Sequence, residues 1–326
     1  MNAPRITVVG SYATGLTMRV DHLPSPGETL LGTGYRVDYG GKGSNQAVGC
    51  ARLGAKVRFV ARIGKDAFGE MALRLYRDEG IDVPHIVQSE GAPTGVGFII
   101  VDAGGNNCIT IDPGANELLT AADVSRGEAA FDATAVVLTQ LEIPVAAAAE
   151  AMARGRAQGA LTILNPAPVR PLPDSVLQLV DILTPNQSEA RVLAGRNPGE
   201  AVDSEEVARE LIRRGVKQVV MTLGESGALI VTASSLLQVP ALRMRAVDTT
   251  GAGDAFNAGL AMALGCGTGL EDAVRFAVVT GGLAVTKEGV IPSLPRRDEV
   301  LRCYRQDGLN PPDWFSTTIP RARIES

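Results

Sequence analysis

The run AVVLTQLE (residues 135–142) and three similar runs that follow it decide the fold class of this chain. The others are ALTILNP (160–166), VDILTPN (180–186) and QVVMTLG (218–224). Continuous apolar runs of this length are typical of parallel strands covered on both faces. Helical segments separate them, among them 145–158 and 204–214. This alternation predicts an α/β fold with a doubly wound, mostly parallel sheet flanked by helices.

The polar residues at the ends of these runs predict a binding edge. They are Glu142, Asn165, Asn186 and Thr222. Ligands of open α/β sheets bind outside the carboxyl ends of the strands, although any one of these residues could instead be a turn or helix cap. Glu189 follows Asn186 by one helical turn, so its carboxylate lies on the same face of the helix as Asn186. That pair is suited to hydrated Mg²⁺, held through water.

The segment DTTGAGDAFNAG (248–259) carries the strongest chemical signal. Gly251 and Gly253 allow a sharp backbone turn whose amides approach an anion, and the following helix adds its positive end. Asp254, in the first helical turn, is placed to take a proton from a hydroxyl. A carboxylate there could also only complement the helix dipole. The two glycines favour the catalytic interpretation, a base beside an anion hole for a phosphoryl group.

A second glycine-rich loop, GGKGSNQA (40–47), precedes a predicted helix over 45–53. Ser44 is the expected cap, and Gly54 the expected terminator. Lys42 could contact a phosphate or a hydroxyl, and Asn45 could bind another hydroxyl. A flexible turn would explain the same loop equally well.

Composition and motifs exclude several classes of function. The net charge of −5 and the lack of a basic stripe predict no nucleic-acid partner. No apolar run approaches the roughly 20 residues that span a bilayer, and no secretion signal is evident at the start, so we expect no membrane association. Four scattered cysteines and two histidines make a zinc site improbable and fit a reducing cytoplasm. Neither GxxxxGK[ST] nor a GxGxxG after the first strand occurs.

Both glycine-rich loops resemble signatures of the ribokinase-like (PfkB) family of carbohydrate and nucleoside kinases, and the likeness is closest to its ribokinases. It extends over about residues 5–300. The further matching blocks are ITVVGS, LPSPGET, LNPAP, TPNQSE and VTKEGVIPSLP.

This resemblance implies an ATP-dependent kinase that phosphorylates a primary alcohol of a sugar or polyol. Asp254 would be the base, and the amides of Gly251, Ala252 and Gly253 would form the anion hole. The residues along the sugar would be Gly41, Lys42, Asn45 and Glu142. The nucleotide and its Mg²⁺ would be served by Asn186, Glu189, Thr222, Gly224, Gly227 and Gly253. A monovalent cation, K⁺, would be held by Asp248 and Thr250 with oxygens near Ala284, Lys287, Gly289 and Ser293.

The resemblance also divides the chain. Residues 1–13, 40–94 and 112–304 would form the nucleotide-binding catalytic domain. Two β-rich patches, 14–39 and 95–111, would form a lid over the substrate that also makes a homodimer contact. Residues 305–326 are expected to form a loosely held C-terminal extension.

One stretch departs from the family pattern. In ribokinases the stretch after the first strand has the pattern Gly-Ser-x-Asn-x-Asp, and its Asn and Asp hold sugar hydroxyls. Here Ala13 and Gly15 take those two places, and Thr14 is the hydrogen-bonding side chain left between them. The acceptor therefore stays open. A nucleoside kinase of the same fold and a catalytically silent sugar-binding module are the alternatives.

Overall fold

The computed structural model describes residues 3–306 and 308–316 of the chain. Within these ranges the strands form one nine-stranded sheet and one separate four-stranded sheet. The strands are β1 (Arg5–Val9), β2 (Ala13–Arg19), β3 (Thr33–Gly40), β4 (Lys56–Gly64), β5 (Ile86–Ser89), β6 (Gly95–Val101), β7 (Asn107–Asp112), β8 (Val136–Thr139), β9 (Leu161–Leu164), β10 (Ile182–Leu183), β11 (Gln218–Thr222), β12 (Ala228–Val231) and β13 (Leu236–Val239).

The large sheet has the order β13-β12-β11-β10-β9-β8-β1-β4-β5. All neighbours pair in parallel except β12, which is antiparallel to both β11 and β13. All four residues of β8 are buried, as expected for a continuous apolar run with helices on both faces. The predicted doubly wound α/β class is confirmed.

The helices lie on both faces of this sheet. They are α1 (Lys42–Leu53), α2 (Ala67–Asp78), α3 (Ala121–Arg126), α4 (Val145–Ala157), α5 (Asp174–Leu177), α6 (Gln187–Leu193), α7 (Ser204–Arg213), α8 (Ala252–Gly265), α9 (Leu270–Ala284), α10 (Val290–Ser293), α11 (Arg297–Gln306) and α12 (Asp313–Ser316). Short 3₁₀ turns follow β7, α3 and β11. No helix in the described ranges is long and apolar enough to cross a membrane.

Helix α1 begins three residues earlier than its predicted start. The residue before it is Gly41, with φ +87°, where a Cβ would lie 2.6 Å from the Cα of Tyr12. Ser44 is fully buried inside the helix, so its predicted role as the cap is wrong. A glycine turn, rather than a side-chain cap, starts α1 and brings Lys42 to the first helical position.

Small residues let α8 pack closely between its neighbours α1 and α9. A Cβ on Gly49 of α1 would lie 2.7 Å from the Cβ of Ala258. One on Gly259 would lie 2.2 Å from the Oγ1 of Thr280 in α9. The amino-terminal ends of α1 and α8 therefore meet over the carboxyl end of the sheet, where their side chains are hydrogen-bonded to one another.

The four-stranded sheet has the order β3-β2-β6-β7, with β2 and β6 parallel and the outer pairs antiparallel. Strands β6 and β7 form an antiparallel hairpin. This small separate sheet is part of the confirmed fold class. The division of the chain into a catalytic domain and a lid at the residue numbers given above stays a prediction.

The start of the C-terminal extension is packed rather than loose. Phe315 is fully buried, with its ring 4.7 Å from that of Phe276 and 4.3 Å from the guanidinium carbon of Arg297. Gly308, Pro311 and Pro312 precede Phe315, and from these turn-forming residues the sequence predicts a loosely held segment. Residue 307 and residues 317–326 of the predicted extension lie outside the described residues.

Candidate active site

Asp254 lies at the centre of a buried hydrogen-bond network. It is only 5% exposed. Asn45 Nδ2 donates to its Oδ2 at 2.8 Å, and Gln46 Nε2 donates to its Oδ1 at 2.9 Å. Both donors come from α1, and the carboxylate comes from the first turn of α8. The two glycine-rich loops of the sequence therefore meet at one carboxylate.

The electrostatics of this network centre on Asp254 and Lys42. Burial raises the pKa of Asp254 above its ordinary 3.8, although the charge of Lys42 and the two amide donors oppose the rise. Burial alone would lower the pKa of Lys42, but the carboxylates of Asp254, Glu142 and Glu189 outweigh it and raise that pKa. A buried carboxylate with a raised pKa facing a cation is the kind of group that accepts a proton from a bound hydroxyl.

Sequence reasoning missed the glutamines behind Asp254. Gln140 Nε2 donates to Gln46 Oε1 at 2.6 Å, and Gln46 Nε2 also lies 3.1 Å from Asn165 Oδ1. Gln140 is fully buried within the apolar run of residues 135–142. A glutamine inside such a run was the signal in the sequence that could have pointed to this network. A polar side chain at such a position needs a buried partner. These amides fix the orientation of Gln46 and, through it, of the Asp254 carboxylate.

The turn before α8 is open toward solvent on one side. Gly251 has φ +83°, and a Cβ on it would lie 2.8 Å from Val290 Cγ1. Gly253 is exposed, and a Cβ on it would meet no atom within 4 Å. With Ala252 between them, these residues form a helix start with open space beside Gly253, a geometry that suits an anion, although the Ala252 N–H donates to Thr249 O at 3.3 Å.

Glu142 ties the end of β8 to the start of α1. Its Oε2 accepts from Ser11 Oγ at 2.6 Å and from the Lys42 backbone N–H at 2.8 Å. The carboxylate is therefore held at the mouth of the Gly41 turn. Ser11 is a further residue at this point that sequence reasoning did not single out.

Asn186 and Glu189 form a capping box at the start of α6. Asn186 Oδ1 accepts from the Glu189 backbone N–H, and Glu189 Oε2 accepts from the Asn186 backbone N–H, both at 2.8 Å. Burial raises the pKa of Glu189, while the Asn186 amide and the charge of Lys42 act against it. Glu189 thus faces the same cleft as Lys42, whose charge partly offsets the burial of its carboxylate.

The predicted nucleotide residues lie on the neighbouring strand ends. Thr222, the last residue of β11, forms a bridge with Asn186. Gly224 and Gly227 bound the turn that follows, both with positive φ. At Gly227 a Cβ would lie 2.0 Å from the carbonyl oxygen of Val239, so the turn requires glycine there. Gly224 is exposed with open space around it.

Asp248 joins the turn before α8 to the loop after α9. Its Oδ1 accepts from the Thr250 N–H at 2.9 Å, and its Oδ2 accepts from the Gly289 N–H at 3.0 Å. Burial would raise the pKa of Asp248, but the bonds from Thr250 and Gly289, with the charge of Arg36, lower it. Of the other residues predicted to hold the cation, Ala284 O accepts from the Lys287 N–H at 3.3 Å, and the buried Ser293 Oγ donates to Val290 O at 2.7 Å.

Thr14 does not lie where the sequence predicted a substrate contact. It is fully buried, and its Oγ1 lies 3.1 Å from the hydroxyl of Tyr12. Successive residues of β2 point to opposite faces, so Thr14 packs against Tyr12 while Ala13 and Gly15 project from the other face. The expected hydrogen bond from Thr14 to a substrate is therefore not available.

The chain is similar to known proteins over most of its length. Residues 3–297 match the family model described as pfkB family carbohydrate kinase. The ribokinase of Haemophilus influenzae is 37% identical over 296 residues, covering 91% of this chain and 97% of that protein. The deoxyribokinase of Salmonella typhi is 34% identical over 292 residues, covering 89% and 95%. A structure of Arabidopsis thaliana ribokinase complexed with ribose and ATP matches with a TM-score of 0.85 at 29% identity, covering 98% of this chain and 100% of that one.

The chain belongs to the pfkB family of carbohydrate kinases. It is a phosphotransferase with an alcohol group as acceptor, as its similarity to ribokinases and deoxyribokinases over most of both chains shows.

Proposed function

We propose that the protein is an ATP-dependent kinase that transfers the γ-phosphoryl group to a primary alcohol of a sugar or polyol. The observation that carries the proposal is Asp254. It is a buried carboxylate with a raised pKa, at the start of a glycine-opened helix and facing Lys42. Among similar proteins, Arabidopsis thaliana ribokinase has been solved in complex with ribose and ATP.

In the proposed mechanism Asp254 removes the proton of the accepting hydroxyl. The Asn45 and Gln46 amides each donate to one of its two oxygens, so each oxygen keeps a lone pair with which it can accept from the acceptor hydroxyl. The amides of Gly251, Ala252 and Gly253 stabilise the charge that develops on the transferred phosphoryl oxygens. Lys42 supplies positive charge in the same cleft, and Gly41, Asn45 and Glu142 line the acceptor.

Asn186, Thr222, Gly224 and Gly227 are the residues we assign to the nucleotide. They lie at the carboxyl ends of β10 and β11 and in the turn after β11, next to the Glu189 carboxylate. Glu189 fits a hydrated Mg²⁺, because a positive ion would offset the effect of burial, which raises the pKa of this carboxylate. When bound, Mg²⁺ neutralises charge on the β- and γ-phosphates.

The oxygens around Asp248 fit a monovalent cation, K⁺. The carboxylate has a lowered pKa and is therefore anionic, and the neighbouring donors are neutral oxygens. A cation there would lie beside the turn at Gly251 and add to the positive potential of the helix start.

An acceptor panel tests this function. ATP-dependent ADP formation would be measured with pentoses, hexoses, polyols and nucleosides in the presence of Mg²⁺ and K⁺. The proposal expects turnover with a sugar or polyol. Preference for a nucleoside over every sugar would favour the nucleoside-kinase alternative. Binding of a sugar without ADP formation would favour a catalytically silent module.

We further propose a homodimer formed through the four-stranded sheet. Phe98 of β6 and Met18 of β2 are 53% and 40% exposed, and both lie on the face of the sheet away from Gly15. Sedimentation of the wild type against Phe98→Glu tests this proposal; a monomeric wild type would overturn it. A cytoplasmic location stays a prediction from the scattered cysteines.

A further inference from the structure

In the family pattern the carboxylate of the small sheet lies on β2. Here the four-stranded sheet carries its carboxylate on the neighbouring strand, β3. Gly15 of β2 is directly opposite Asp38 of β3 in the antiparallel register. Residues opposite each other project from the same face of a sheet. A Cβ built on Gly15 would lie only 3.7 Å from the Cβ of Asp38. A carboxylate on either residue would therefore occupy nearly the same region of this face.

This face turns toward the main domain. Arg36, which precedes Asp38 by two residues and shares its face, donates to Glu288 Oε1 at 3.0 Å. Glu288 adjoins Gly289, the residue that donates to Asp248. On the opposite face of β2, Thr14 is buried against Tyr12. Asp38 thus lies on the side of the sheet that faces the turn at α8, two residues before the Gly40-Gly41 loop.

The face beside Asp38 has a shallow floor formed by Gly15 and Gly97, bordered by the apolar side chains of Ile99 and Ile111. Gly15 and Gly97 are paired in the parallel register of β2 and β6, and neither carries a side chain. Ile99 Cδ1 would lie 3.4 Å from a Cβ on Gly15, and Ile111 Cγ1 3.8 Å from one on Gly97. The floor therefore has room for the carbon skeleton of an acceptor, with Asp38 at its edge.

The Asp38 carboxylate has hydrogen-bonding capacity to spare. In the described part of the chain its recorded partner is Arg36, at a long Nε–Oδ2 distance of 3.6 Å. The Asp38 side chain is 46% exposed. Arg36 has its shorter contact with Glu288, so Asp38 is not required to neutralise Arg36.

We propose that Asp38 is the specificity-determining carboxylate that binds acceptor hydroxyls in this enzyme, in place of a carboxylate at position 15. The inference rests on the proposed kinase function and adds which residue of the small sheet selects the acceptor. Because neighbouring strands lie about 4.8 Å apart, the bound hydroxyls are displaced across the sheet toward β3. The favoured acceptor is a sugar or polyol whose carbon skeleton crosses the Gly15–Gly97 floor.

The first test compares Asp38→Asn with Asp102→Asn, using the best acceptor of the panel. Asp102 is a matched control, since it lies in the β6–β7 turn, where an asparagine still accepts from the Asn106 backbone N–H and can donate to the Asn106 side-chain oxygen once that amide rotates. Asp38→Asn should raise the acceptor KM by about tenfold or more, as expected for loss of a hydrogen bond to a charged group. The KM for ATP should stay within about twofold of the wild-type value. Equal acceptor kinetics in the two variants would overturn the assignment.

A second variant moves the carboxylate back to β2. Gly15→Asp combined with Asp38→Ala should change the rank order of acceptors and raise the activity with ribose relative to Asp38→Ala alone. An unchanged rank order would overturn the inference. Circular dichroism and ATP affinity confirm that each variant is folded. Failure of the wild type to phosphorylate any acceptor would contradict the kinase function itself, whereas wild-type turnover that Asp38→Asn leaves unaltered contradicts only the role of Asp38.

Discussion

Asn45 Nδ2 donates to Asp254 Oδ2 at 2.8 Å, while the buried Oδ1 of the same Asn45 has no hydrogen-bond partner in the described structure. One amide therefore holds the proposed base with its donor and leaves its acceptor unused. The pair joins two loops 209 residues apart in the chain. An acceptor molecule that enters this site can donate one hydroxyl to Asp254 and a second hydroxyl to Asn45 Oδ1, which would hold the first hydroxyl in place for removal of its proton.

Removing the charge of Asp254 should stabilise the fold at neutral pH. The folded-state pKa of Asp254 is raised, so its contribution to stability is full below the unfolded value near 3.8 and is lost as pH rises through the folded pKa. Asp254→Asn does not lose this stability, because the asparagine carries no charge at any pH. Rotation of the Asn45 amide lets Asn45 Oδ1 accept from the new NH₂ group. Thermal unfolding of both proteins from pH 3 to 8 should show a melting-temperature advantage for Asp254→Asn that grows with pH.

Asp123 supplies the control of opposite sign. It is equally buried, but the Thr120 N–H and hydroxyl, with Arg62 and Arg126, outweigh the effect of burial and lower its pKa. Its stabilisation is present above pH 3.8 and is lost as pH falls through the folded pKa. Asp123→Asn should therefore destabilise the protein at neutral pH. A melting temperature of Asp254→Asn that stays below the wild-type value at pH 8 would contradict the argument.

Two glycines of the turn before α8 should respond differently to alanine. Gly251→Ala forces a Cβ onto a residue with φ +83° and against Val290, so we expect a loss of about 1–3 kcal/mol in the free energy of unfolding. Gly253→Ala meets open space and should leave stability unchanged or slightly higher. Its methyl group would lie where phosphoryl oxygens approach, so kcat should fall by about tenfold or more. Full activity in Gly253→Ala would contradict the anion hole.

The site around Asp248 predicts activation by K⁺. At constant ionic strength, replacing Na⁺ with K⁺ should raise kcat several-fold, because the larger ion completes the oxygen set beside the turn at Gly251. Asp248→Asn should abolish this difference, while the exposed Asp272→Asn in α9 should keep it. Equal wild-type rates in Na⁺ and K⁺ would remove the cation from the proposed mechanism.

Carboxylates at positions 15 and 38 should destabilise the protein when both are present. Like charges directly opposite in an antiparallel pair are destabilising, by about 0.2–1 kcal/mol. Gly15→Asp should therefore be less stable in the wild-type background than in Asp38→Ala. A double-mutant cycle measured by urea unfolding at low and high salt checks this. The unfavourable coupling should weaken as salt rises; a coupling of zero at low salt would contradict the shared position on the face.

The fold class was predictable because its signal is repeated. Four apolar runs separated by helices are hard to accommodate in anything but a parallel sheet, and their burial follows from it. The start of α1 was not predictable from the sequence, because the turn at Gly41 depends on its close contact with Tyr12 rather than on a capping side chain. Phe315 was missed for a similar reason, since its partner Phe276 lies on another helix.

Within the site, the sequence pointed to groups with a local signal. Asp254 and Lys42 stand in glycine-rich loops whose chemistry can be read from a few residues. Gln46, Gln140 and Asp38 act through partners far along the chain, so their roles depend on strand register and helix packing. Thr14 was misplaced because the face of β2 on which it projects is fixed only by tertiary packing around Tyr12.

The most direct test of the central claim is the turnover of Asp254→Asn with saturating ATP and the best acceptor. If Asp254 is the base, kcat should fall by about 100- to 10,000-fold, the range expected for loss of general-base catalysis, while the affinity for ATP stays close to that of the wild type. A variant that phosphorylates the acceptor at the wild-type rate would contradict the assignment of Asp254 and the mechanism built on it.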